Sequence, residues 1–229
     1  MIFSPLKSGS SVEGNTIEAY KTDVSADKYL YLLAGTHGDE VEGVYVLNKL
    51  FEWLKEEHSL KDLPIVVIPI LNPDGYRAGT RVNSHAVDLN RNYATSNWVG
   101  EFKQDKYNPG PAPLSEPENE FLDLLFKKFR PGFILSFHSW KPILNYNDDA
   151  EDIANYLASY NEYETCADIG YPTPGSLGTY APEKYQSPVL TFECPTLADG
   201  GQSLKEIWET NEQGLKNLIQ SELITKKLA

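Results

Sequence analysis

Apolar residues first cluster at Tyr29–Ala34, in the run YLYLLA, which ends at Gly35. A short unbroken apolar run closed by glycine is the pattern of a strand covered on both faces. From Val41 to about His58 the pattern changes. Val44, Leu47, Leu50, Phe51 and Leu54 recur at helical spacing with Glu and Lys between them, which predicts an amphipathic helix. Pro64 opens a second β-branched run, Ile65–Leu71, halted by the turn-rich Asn72-Pro73-Asp74-Gly75. The three pieces read as a β-α-β unit.

Between 74 and 114 the periodicity fades among seven glycines and prolines, so a long irregular excursion is expected. Ser115 and Glu118 have capping-box spacing ahead of a helix carrying Phe121, Leu122, Leu125, Phe126 and Phe129, which closes at Pro131-Gly132. Phe133–Phe137 and Val189–Phe192 read as further strands, and Asp149–Tyr160 as a helix. Ser203 and Glu206 open a last helix reaching about Ile219. Strands alternating with helices, without repeat or linker, predict a single α/β domain over 1–229. Its mostly parallel mixed sheet would have helices on both faces.

In such sheets ligands gather beyond the carboxyl ends of the strands. Those positions hold His37, Glu40, Asn72, His138 and Glu193. His37 and Glu40, three apart on a loop entering a helix, form a zinc-type donor pair or simply a polar loop capping the helix. His138, about a hundred residues later, supplies the third protein ligand that a catalytic zinc takes, or is a hydrogen-bonded core histidine. Glu193 is a carboxylate at the same rim, suited to proton transfer in amide hydrolysis. The bland alternative is a loop cap. Arg77, Arg81 and Arg91 form a local basic island that either clamps a substrate carboxylate or pairs with surface acids. The other histidines, His58 and His85, lie in charged or Gly/Asn-rich surroundings and are expected to be exposed, with no partner that the sequence identifies.

Charge narrows the partners. Twenty Lys and Arg against thirty-three Asp and Glu leave a net charge of −13, which opposes nucleic acid and anionic lipid surfaces. No apolar stretch is long enough to span a bilayer and no secretory leader is seen, so a cytoplasmic location is expected, although a trimmed precursor would read the same. Cys166 and Cys194 lack CxxC spacing and read as two buried, reduced thiols.

Taken in order, GTHGDE from Gly35, NPDG at 72–75, Arg81 nine residues before Asn90, VDLNRNY at 87–93, SFHSW at 136–140 and TFE at 191–193 resemble the zinc carboxypeptidase family. The resemblance implies one zinc held by His37, Glu40 and His138, with Glu193 as general base and acid. It implies Arg81 polarising the scissile carbonyl, and Asn90 with Arg91 holding the substrate's terminal carboxylate. Asp88 would orient the first zinc-binding histidine, and Tyr171 would cover the substrate.

The segments 143–147 and 170–181 are similar to the murein peptide amidase A subgroup rather than to digestive enzymes. That likeness implies a murein tripeptide substrate, cut at the γ-D-glutamyl–meso-diaminopimelate bond. Such a substrate is itself anionic, so capture would be local, through the arginines and zinc. Asp148, Asp149 and Lys141 are candidate readers of the diaminopimelate side chain. Two rival readings are an N-acyl amino acid deacylase of the aspartoacylase type and a relative that binds peptides without cutting them.

Overall fold

A computed structural model describes residues 1–199 and 201–229. The chain opens with four short strands, β1 (Phe3–Pro5), β2 (Gly9–Ser10), β3 (Thr16–Ile17) and β4 (Tyr20–Thr22). Then come β5 (Tyr29–Ala34), α1 (Val41–Glu56), β6 (Ile65–Ile68), α2 (Pro73–Ala78) and α3 (Pro117–Lys128). The second half runs β7 (Pro131–Trp140), β8 (Ile143–Asn147), α4 (Glu151–Asn161), β9 (Glu164–Cys166), α5 (Leu177–Tyr185), β10 (Val189–Pro195), α6 (Leu204–Gln220) and α7 (Glu222–Leu228).

Among the described residues, eight strands form one sheet in the order β1-β4-β6-β5-β7-β10-β8-β9. The four central strands are parallel, and antiparallel pairings occur between β1 and β4, β4 and β6, and β10 and β8. Successive residues of β5 serve opposite faces, as strand geometry requires. Leu30, Leu32 and Ala34 join the α1, α4, α6 and α7 layer, while Tyr29, Tyr31 and Leu33 join α3 and α5. Burial on both faces explains why the run YLYLLA shows no polar alternation. Each large apolar side chain so buried contributes about 1.5–3 kcal/mol relative to exposure.

The apolar pattern locates the central elements to within a few residues, and the departures have physical causes. Asn72-Pro73-Asp74-Gly75 opens the short helix α2 instead of a plain turn. Asn72 accepts a bond from the Gly75 N–H, and Pro73 needs no hydrogen bond at the first helical position. Ser115 does not cap α3. The helix begins one residue later, with Glu116 before Pro117 and without a side-chain cap, while the Glu118 carboxylate accepts bonds from Asn83 and Val12. The Ser203–Glu206 capping box of α6 is present with both reciprocal bonds. The polar strands β1–β4, β8 and β9 and the helices α5 and α7 lack the apolar runs that mark the centre.

Candidate metal centre and catalytic cleft

Three donor side chains meet at the carboxyl edge of the parallel strands. Gly35, at φ +64, turns the chain out of β5 and starts the loop that carries His37. Gly38 lets that loop lie against the backbone of α2, because a Cβ there would come within 2.0 Å of the Gly75 carbonyl carbon. Glu40 then stands at the entrance of α1, and His138 projects from the end of β7.

His37 Nδ1 lies 2.7 Å from Glu40 Oε1, His138 Nδ1 lies 2.7 Å from Glu40 Oε2, and the two Nδ1 atoms are 3.2 Å apart. All three residues are nearly closed to solvent. Two nitrogens at tetrahedral positions about 2.0–2.1 Å from zinc would be about 3.3 Å apart, so the spacing fits that ion. His37 Nε2 lies 3.0 Å from Asp88 Oδ1, so the carboxylate can accept from that nitrogen and orient the ring with Nδ1 toward the site. Trio and partner together form a site that could hold a divalent metal ion.

The surrounding charges are arranged to keep these carboxylates ionised. Burial by itself would raise Glu40, but the His37 and His138 imidazoles overcome it and hold the carboxyl well below its ordinary range. Burial also opposes ionisation of Asp88, and there His37 and then Arg81 prevail. Arg81 donates from Nε and Nη2 to Asp88 Oδ2 and from Nη1 to Glu40 Oε1, at 3.0–3.3 Å.

Glu193 stands apart. Its register partner on β7 is His138, so pairing of two strands distant in sequence puts this carboxylate beside the trio. Oε2 is buried without any hydrogen-bond partner. Burial pushes the Glu193 carboxyl up to about 8, with Glu40 adding to the rise and His138 and Arg81 opposing it. An orphaned oxygen of this kind marks a place where water, a metal or a substrate atom completes the shell.

The cleft above these groups has a volume of about 880 Å³ and is also lined by Arg81, Asn90, Arg91 and Tyr171. Asn90 accepts from the Leu177 N–H, which ties the 3-10 turn at Leu89–Arg91 to the start of α5. Tyr107 went unnoticed in the sequence because it lies in the aperiodic excursion. Its ring centroid is 5.6 Å from the Arg81 guanidinium carbon and 5.4 Å from that of Arg91, so it links the two cations. Trp140 similarly meets Tyr171 edge to face, with centroids 5.9 Å apart.

The remaining candidates take varied places. Arg77 points away and bonds Asn15. His85 is exposed but paired, with Nδ1 2.8 Å from Glu116 Oε2. Asp149 pairs with Lys227, Lys141 lies over the ring of Trp140, which lines the cleft, and Asp148 takes a left-handed turn conformation. Cys194 is a buried free thiol, whereas Cys166 is only half-buried.

Residues 2–228 match the model of the zinc carboxypeptidase family, and the chain belongs to that family. It is 32% identical over 209 residues to murein peptide amidase A of Vibrio campbellii, covering 86% of this chain and 82% of that protein. Murein peptide amidase A of Escherichia coli K12 is 29% identical over 212 residues, covering 87% and 85%. The crystal structure of murein-tripeptide amidase MpaA from Escherichia coli O157 superposes with a TM-score of 0.75 at 28% identity, covering 93% of this chain and 90% of that one. Carboxypeptidase A from Helicoverpa armigera shares the fold, with a TM-score of 0.78 at 17% identity over 96% of this chain and 68% of that one.

Proposed function

We propose that this chain is a zinc-dependent amidase that hydrolyses the γ-D-glutamyl–meso-diaminopimelate bond of murein tripeptide, in the recycling of cell-wall peptides in the cytoplasm. The observation that carries the reading is the orphaned Glu193 oxygen beside the His37–Glu40–His138 trio. The names of the amidase relatives supply the substrate class.

In this reading His37, Glu40 and His138 hold one zinc, and Asp88 fixes the His37 ring. Bound zinc supplies Lewis acidity, which eases deprotonation of a water and polarises a carbonyl. Glu193 accepts the proton of the attacking water at its unpartnered oxygen. As the water oxygen bonds to the γ-carbonyl carbon, Arg81 faces the charge that develops on the carbonyl oxygen. Glu193 then passes the proton to the diaminopimelate nitrogen as the C–N bond breaks. Asn90 and Arg91 hold the carboxylate next to that nitrogen, which fixes which bond lies over Glu193. Tyr171, at the rim, covers the substrate.

The test is mass spectrometry of L-alanyl-γ-D-glutamyl-meso-diaminopimelate incubated with zinc-loaded and chelated enzyme. Zinc-dependent release of free diaminopimelate is expected. An intact tripeptide beside a cleaved acyl-aspartate control would overturn the reading in favour of a deacylase.

A further inference from the structure

Arg91 is a buried cation whose charge the rest of the protein leaves unpaired. The residue is 5% exposed, and its Nη1 donates to the Asn90 carbonyl at 2.7 Å. Among the described residues, no carboxylate lies within ion-pairing distance of it, whereas Arg81 is fixed by Asp88 and Glu40. A guanidinium taken out of water without a counterion is costly, so another group must steady it.

Tyr107 is placed to do so. Its ring centroid lies 5.4 Å from the Arg91 guanidinium carbon, 5.6 Å from that of Arg81 and 4.9 Å from Lys106 Nζ. An aromatic face is negative, attracts cations within about 6 Å of its centroid, and suits the weakly hydrated guanidinium. The ring is carried by the 3-10 turn Asp105–Tyr107, which is stitched to the loop that bears the arginines. The Asp88 N–H donates to the Asn108 carbonyl at 2.8 Å, and Asn108 Nδ2 donates to the Ala86 carbonyl at 2.9 Å. Asp88 is therefore tied by its side chain to Arg81 and by its backbone to the residue after Tyr107. Arg81, Arg91 and Tyr107 all line the cleft.

We propose that Tyr107 is a positioning residue whose ring holds the Arg91 guanidinium, before substrate arrives, where it takes the substrate's terminal carboxylate. This rests on the function proposed above and adds the group that readies its carboxylate clamp. Arg81 is bonded to two carboxylates and keeps its place without the ring. Arg91 has neither, so loss of the ring falls on substrate capture and spares the chemical step. A carboxylate entering the cleft supplies the counterion that Arg91 lacks.

The experiment measures kcat and KM on L-alanyl-γ-D-glutamyl-meso-diaminopimelate for the zinc-loaded parent, Tyr107→Leu and Tyr107→Phe. Tyr107→Leu should raise KM about 10-fold with kcat within about 2-fold of the parent, the signature of binding lost equally from ground and transition states. Tyr107→Phe keeps the aromatic face and should hold KM within about 2-fold of the parent. Should Tyr107→Leu fail to fold, fluorinated phenylalanines in place of Tyr107 keep the shape of the ring while draining its face of negative charge. KM should then climb with each added fluorine. A fall in kcat at unchanged KM, equal impairment of Tyr107→Phe and Tyr107→Leu, or a KM that neither leucine nor fluorination moves would overturn the inference and leave the proposed reaction standing. If the parent cleaves no tripeptide, the proposed reaction falls, and calorimetry of succinate on the zinc-loaded protein decides the role of Tyr107. Tighter binding to the parent than to Tyr107→Leu supports it, and equal or absent binding overturns it.

Discussion

Asp123 on α3 and Glu193 on β10 are shielded carboxylates on the same side of the sheet, and their surroundings treat them in opposite ways. Asp123 accepts hydroxyl bonds from Tyr180 and Tyr185, and its other oxygen pairs with Lys127 at 2.6 Å. Burial works against its ionisation, but Lys127 and the two tyrosines win and lower the carboxyl. Glu193 has a shielded oxygen with no partner, and burial raises its carboxyl. A buried acid whose bonds are complete holds the fold together. One left incomplete at the mouth of a cleft is available for chemistry.

The strongest way to break this comparison is to neutralise the incomplete acid. Glu193→Gln should lower kcat by about 10²–10⁴-fold while zinc content and melting temperature stay near those of the parent, because the proposed role of the group is proton transfer and not packing. Turnover assays with metal analysis check this. Asp123→Ala should do the reverse. Two tyrosine hydroxyls lose their acceptor, so unfolding free energy should drop by about 2–4 kcal/mol, read by urea denaturation, with kcat preserved in the folded fraction.

The pH dependence should also split. The Asp123 carboxyl is lowered in the fold from its ordinary 3.8, so its stabilisation is present above that value and is lost as the pH falls below it. The Glu193 carboxyl is raised from 4.5 to about 8 without metal. Its contribution in metal-free protein is therefore complete below 4.5 and lost as the pH rises through about 8. Urea midpoints across pH should show both limbs, the acid limb vanishing in Asp123→Asn and the alkaline limb in Glu193→Gln. The smallest effect expected is that of Tyr185→Phe, which removes one of the bonds to Asp123 and should cost about 1 kcal/mol.

The contrast between these acids was only half legible along the chain. Glu193 follows the apolar run Val189–Phe192, so its candidacy could be read locally, although β10 itself continues through Glu193 to Pro195. Asp123 sits between Leu122 and Leu124 on an amphipathic helix and looks like any surface acid, because the tyrosines that complete it lie 57 and 62 residues away. The same distance hid Tyr107, whose excursion has no periodicity to reveal that it folds back between two arginines. Asn145 and Asn147 face the cleft because β8 pairs antiparallel with β10, and a shift of one residue would turn them away.

The amino-acid sequence by itself determined the central strands, the helices α1, α3, α4 and α6, and the ends of the apolar runs near which His37, Glu40, His138 and Glu193 stand. Apolar periodicity and turn chemistry are local, so the apolar core of a strand is legible even where pairing carries the strand further, as in β7 and β10. Tertiary structure alone decided that His138 and Glu193 are neighbours in register and that one Glu193 oxygen has no partner. Those properties belong to strand pairing and to the packing of residues far apart in the chain, where burial without a partner can arise only after the sheet has closed around the group.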